Sequence, residues 1–130
     1  MPLTNEVESI KMIRYAIDHG VNYFDLGYPY DFTKYERLVL LVNKALQGDY
    51  RQKVKIAATL PISLMNSPSD VDNYLGKQLQ LLETDKLEFC VLGELNRESW
   101  PKVNNLNILH WAENAVKNGQ IGNLGFSFHD

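Results

Sequence analysis

Ala16-Ile17-Asp18-His19-Gly20-Val21-Asn22-Tyr23-Phe24-Asp25 reads as the end of a helix, a tight turn and a short apolar strand that delivers an acid. Gly20 is placed to end the helix in a left-handed conformation, which glycine reaches without a Cβ penalty. A polar loop follows, and Tyr30 stands five residues after Asp25. An acid and a phenol at the carboxyl end of a parallel strand suit proton transfer.

Working outward, the same helix-then-strand unit recurs. Before the turn, Ile10, Ile13 and Ile17 give one apolar face to a helix over 6–19, with Asn5 as N-cap and Glu8 three residues on. The strand is 21–25. A second helix is expected over 35–47, closed by Gly48, then a strand over 54–60 ended by Pro61. Ser67-Pro68-Ser69-Asp70 starts a third helix carrying Val71, Leu75, Leu79 and Leu82, followed by a strand over 87–92. After a loop at 96–105, Ile108, Leu109, Ala112, Ala115 and Val116 mark a fourth helix, and 121–126 a fourth strand.

The strand centres fall near residues 23, 57, 89 and 123, a repeat of about 33 residues, the length of one βαβ step. Strands alternating with helices imply an α/β fold with a parallel sheet and right-handed crossovers. A complete (β/α)8 barrel of TIM type takes about 250 residues. The 130 residues here form a single domain (1–130) holding about half of one. The pattern favours a half barrel over a doubly wound sheet, which would wrap helices over both faces.

Composition narrows the function. Hydrophobic residues make up 45%, enough for a core, and the formal net charge is −3. No basic stripe is present to displace counterions from phosphate, which argues against nucleic acid. No apolar run approaches the roughly 18 residues that span a bilayer, and no signal peptide opens the chain; a cytoplasmic location is the default. Cys90, the single cysteine, lies in an apolar run and reads as a buried structural thiol. No metal-ligand spacing occurs. The glycines at 119, 122 and 125 precede no helix and do not spell a dinucleotide fingerprint.

Several stretches resemble the aldo-keto reductase superfamily, most closely its branch with a ferredoxin-like iron–sulfur tail. They are AIDHGVNYFD (16–25) with Tyr30, VNKAL (42–46), KVKIAATLP (53–61), YLGKQLQLLETDKLEF (74–89), LNRESW (95–100) and KNGQIGNLGFSFHD (117–130). The resemblance implies a (β/α)8 barrel that reduces carbonyls with hydride from NADPH over the carboxyl ends of its strands. Such enzymes use a tyrosine as proton donor, a lysine that lowers its pKa, an aspartate paired to that lysine and a histidine that orients the carbonyl. Carried over by position, Asp25 and Tyr30 match the aspartate and the tyrosine. The lysine position is Thr59 and the histidine position is Gly93. Ser127 matches a residue that contacts the nicotinamide amide, but the Asn often beside it is Phe128. The cysteines of the iron–sulfur tail are absent, so no cluster is expected.

The substitutions weaken the chemistry. Without an ammonium nearby, Tyr30 is expected near the ordinary phenol value of about 10, and an ionised Asp25 would push it up. Lys55 shares the strand parity of Thr59 but lies four residues, roughly 13 Å, lower. The loops that hold the cofactor phosphates in this family belong to the last two barrel units, which these residues do not include, and Met1-Pro2-Leu3 looks like the tail of the first barrel strand. NADP(H) binding is therefore expected only through the resemblance. Asp25 has a plainer role as a strand-end cap, Tyr30 as part of an aromatic loop. His129 is a weaker site candidate; His19, His110, Trp100 and Trp111 read as structural. Two functions follow: a truncated NADP-dependent oxidoreductase domain with impaired or no activity alone, or a non-catalytic half barrel that pairs with its own copy or a complementary chain through unpaired strand edges.

Overall fold

The structure is a computed structural model and describes residues 5–129. The strand tail expected at Met1-Pro2-Leu3 lies outside the described residues, as does Asp130.

Helix α1 (Glu6–Asp18) starts where Asn5 accepts the Glu8 N–H at 3.1 Å, and Gly20 follows it at φ +104°. Strand β1 (Tyr23–Asp25) is two residues shorter than its sequence suggests, because the Val21 N–H turns back to the Ala16 carbonyl at 3.0 Å. Helix α2 (Phe32–Ala45) begins three residues earlier than expected. The side chain of Asp31 caps it by accepting the Lys34 N–H at 3.1 Å, a start signal hidden among the aromatic residues of the loop. A 3-10 turn (Gly48–Lys53) leads into β2 (Lys55–Pro61). Pro61 is the last residue of that strand rather than the first beyond it; at a strand end its missing N–H costs the ladder little.

Helix α3 (Pro68–Leu82) has Ser67 as its cap, as its sequence predicts. Strand β3 (Leu87–Leu95) runs three residues past its expected end, through Glu94 at φ +52° and a register shift between Leu92 and Leu95. A local bulge of this kind leaves no signature in hydrophobic alternation. The segment 96–105 is not all loop: α4 (Trp100–Asn105) forms there, started by Asn96, whose Oδ1 accepts the N–H groups of Glu98 and Ser99. Helix α5 (Ile108–Lys117) and β4 (Ile121–Phe128) complete the chain.

The four strands are parallel, in the spatial order β1-β2-β3-β4. A doubly wound sheet reverses its order at a switch point; this one advances one strand at a time, as a barrel arc does. The core lies between the sheet and the helices. Ile56, Ala58, Leu60, Cys90 and Leu92 face Ile13, Ile17, Val39, Val42, Val71 and Leu75. Each fully buried aliphatic side chain of this size contributes about 1.5–3 kcal/mol. The amino ends of β2 and β3 are joined by Glu88, whose Oε1 accepts from Arg51 Nη2 at 2.9 Å and from the Ile56 N–H at 2.8 Å. Among the described residues no helix is long and apolar enough to cross a membrane.

Candidate active site

The face of the sheet opposite the helices carries the predicted site. Strand register sets it out in rows. Asp25 is level with Ala57, Phe89 and Asn123, and Thr59 is level with Val91 and Gly125. Gly93 is level with Pro61, one row further up. Rows of one face are two residues apart, about 6.6 Å. The positions assigned to aspartate, lysine and histidine thus climb the same concave face toward the carboxyl ends of the strands.

Their side chains do not form a relay. Asp25 is exposed, and its Oδ1 accepts the Gly27 N–H at 2.8 Å, the strand-end role its type also allows. Thr59 is buried, and its Cγ2 methyl fills the space where a Cβ at position 93 would lie. Glycine at 93 is therefore a packing requirement of threonine at 59. Tyr28 closes that space from above: a Cβ at 93 would come within 3.3 Å of its ring.

Tyr30 is 75% exposed, with its ring 4.5 Å from that of Tyr28. Its hydroxyl donates to the carboxylate of Glu94. The same residue is held from behind, since Ser127 Oγ accepts the Glu94 N–H at 2.8 Å. Tyr30 and Ser127 therefore converge on Glu94, a residue the sequence reading did not single out. Its signal was its place directly after the histidine position, but the left-handed backbone that turns its carboxylate to Tyr30 was not visible there.

Around this rim, Tyr28 and Ser63 share a hydrogen bond of 3.2 Å, and Lys102 Nζ donates to the Ser63 carbonyl at 2.7 Å. Lys55 is level with Tyr23 at the base of the sheet, far from Tyr30. Between the loop and α2 lies an open cleft of about 640 Å³, lined by Leu26, Tyr28, Tyr30, Lys34, Arg37 and Leu38. The His129 N–H donates to the Leu95 carbonyl at 2.7 Å and so extends the ladder. His19 Nδ1 meets the Tyr15 carbonyl and its ring stacks on Tyr15. Burial pushes the Cys90 thiol up to about 12, as suits a structural cysteine.

Among the described residues no glycine-rich turn opens a helix as a dinucleotide cradle. Ser127, the position matched to the nicotinamide contact, already accepts a backbone N–H with its Oγ. Gly119 lies in a turn and Gly122 and Gly125 in β4, so none opens a helix toward a phosphate.

A parallel arc of (β/α) units that advances one strand at a time is part of a (β/α)8-type barrel. The sequence profile of the Aldo/keto reductase family matches residues 3–130, and the chain belongs to that family. Solved structures carry the same fold. Aldo-keto reductase AKR11C1 from Bacillus halodurans, in its holo form, aligns with a TM-score of 0.72 at 20% identity, over 95% of this chain and 40% of that one. An aldo/keto reductase from Klebsiella pneumoniae in complex with NADP and acetate aligns with a TM-score of 0.73 at 20% identity, over 99% of this chain and 42% of that one. An aldo-keto reductase from the same organism, in complex with NADPH, gives 0.72 at 18% identity, over 99% and 42%. The chain thus spans well under half the length of these relatives.

Proposed function

We propose that this chain is an aldo-keto reductase-like oxidoreductase domain, built for NADPH-dependent carbonyl reduction but with impaired or no activity alone. The observation that carries the reading is the pair Thr59 and Gly93. They occupy the lysine and histidine positions and fill one another's space, while the phenol of Tyr30 is bound by Glu94. Asp25 and Tyr30 keep the positions of acid and proton donor, Ser127 that of a nicotinamide contact. General acid–base assistance is worth about 10²–10⁴-fold in such reactions, so losing the tuning cation and the orienting imidazole removes most of it. NADPH is the cofactor of this reading by family likeness, and it supplies hydride when bound.

Cofactor fluorescence tests it. Titration of NADPH into the purified chain gives a flat trace under this reading. Saturable binding, coupled to aldehyde reduction, shows the domain to be active as it stands.

A second reading is favoured by one observation. Leu124, Phe126 and Phe128 on β4 are exposed, as are Met12 and Tyr15 on α1. A non-catalytic half barrel that associates through these faces accounts for them.

A further inference from the structure

Helix α3 rests on the sheet through Val71, Leu75, Gln78 and Leu82, the spacing of a core-facing helix stripe. Three of these are aliphatic. The fourth is an amide, and Gln78 is only 3% exposed. A polar side chain taken out of water at such a place is costly unless its groups are paired. Among the described residues, Gln78 Oε1 has no hydrogen-bond donor.

Two more buried atoms share that condition. The hydroxyl of Tyr74, one turn before Gln78 on α3, and the hydroxyl of Tyr35 on α2 have no partner either. The two phenols lie close enough to perturb one another's ionisation. Native proteins leave few such groups orphaned, so three of them together need a common explanation. Between α3 and the strands β2 and β3 lies a small cavity of about 10 Å³, lined by Tyr74, Gln78, Thr59 and Cys90 together with aliphatic residues. One water needs about 10–15 Å³ of such space.

We infer that this cavity is a binding site for one internal water, held between Gln78 Oε1 and the Tyr74 hydroxyl. The Tyr35 O–H donates to the Tyr74 oxygen, the Tyr74 O–H donates to the water, and the water donates to Gln78 Oε1. A hydroxyl both donates and accepts, so this chain leaves none of the three atoms unpaired. The second hydrogen of the water faces the Cys90 sulfur, a weak acceptor, which brings the water to about three bonds, the usual number for a buried one. The chain ties α2 and α3 to one another and to β3. Such a polar network fixes side-chain geometry in a way that apolar packing alone does not. Every group in it lies between α2, α3, β2 and β3, inside the arc, and none of them transfers hydride or proton to a substrate. A failed NADPH titration, or further barrel units beside these residues, would leave the water site unchanged.

Oxygen-17 magnetic relaxation dispersion of the full chain counts long-lived internal waters and is blind to exchange of hydroxyl hydrogens. The unmodified chain should show such a water. Gln78→Met, close in length but apolar, should lose one water from the count with an unchanged circular dichroism spectrum. A high-resolution crystal structure of the unmodified chain keeps the site testable if that variant fails to fold. It should show one water within hydrogen-bond reach of both Gln78 Oε1 and the Tyr74 hydroxyl. No long-lived water in the unmodified chain overturns the site, as does an unchanged count in a folded Gln78→Met. So does a dry cavity in the crystal, or Gln78 Oε1 bonded directly to a protein donor.

Discussion

The Cγ2 methyl of Thr59 occupies the volume into which any side chain at Gly93 would have to project. Two positions on neighbouring strands are thus locked into one packing solution. Changing either alone disturbs the other.

Gly93→Ala should therefore destabilise the fold by about 1–3 kcal/mol, the usual cost of overpacking. Thr59→Ser removes the methyl and keeps the hydroxyl. Combined with Gly93→Ala, it should recover most of that loss, giving a coupling well above the few tenths of a kcal/mol seen between independent sites. Urea unfolding of the two single variants and the double variant measures it; strict additivity would show the contact to be unimportant.

Installing the missing groups should not restore the reaction. The variant Thr59→Lys/Gly93→His places an ammonium and an imidazole on the concave face, yet Glu94 still holds Tyr30 and Ser127 still holds Glu94. Aldehyde-dependent NADPH oxidation by this variant should stay at the level of the unmodified chain. Adding Glu94→Gln separates the grip on Tyr30 from the want of a cofactor site: turnover appearing only in the triple variant would assign the block to Glu94.

Glu88 should matter for stability. Its carboxylate serves Arg51 and the Ile56 N–H together, and both side chains are largely buried. Glu88→Ala leaves the Ile56 N–H without its acceptor and the Arg51 guanidinium, still held by the Val54 and Lys86 carbonyls, without its counter-charge, at a cost of about 1.5–3 kcal/mol. Thermal or urea unfolding reads the change, and a loss under half a kcal/mol would contradict the bridging role.

Alkaline pH should unfold the protein early. Burial pushes the Cys90 thiol and the Tyr35 phenol each up to about 12, and raises Tyr74 as well. The unfolded chain loses these protons near pH 9 to 10, so above that range it binds fewer protons than the native state. Stability is then full below about pH 9 and falls as pH rises, by about 1.4 kcal/mol per pH unit for each group, until the folded values are passed. Urea midpoints between pH 8 and 11 check the sign. Cys90 should also resist a thiol reagent until urea is added.

The arc of helix–strand units was legible because apolar residues recur in each strand and each long helix carries a clear stripe, three of them followed by Gly20, Gly48 or Gly119, while α3 ends on Glu83 in a left-handed conformation. The short helix over Trp100–Asn105 was not, because six residues hold too few turns for periodicity and its start depends on the Asn96 and Ser99 side chains. Asp25 and Tyr30 could be placed from sequence, yet their contacts could not. Asp25 turns to the Gly27 amide, and Tyr30 to a glutamate brought within reach by a left-handed residue and a register shift. Such backbone irregularities depend on tertiary pairing and leave little trace in local pattern.

The central claim is that the acid and the phenol are present on this rim while the groups that would put them to work are replaced. Steady-state NADPH oxidation by the purified chain, with a panel of aldehydes and with Tyr30→Phe in parallel, tests it most directly. The account predicts a rate at buffer background for both proteins. Turnover by the unmodified chain that disappears in Tyr30→Phe would contradict it.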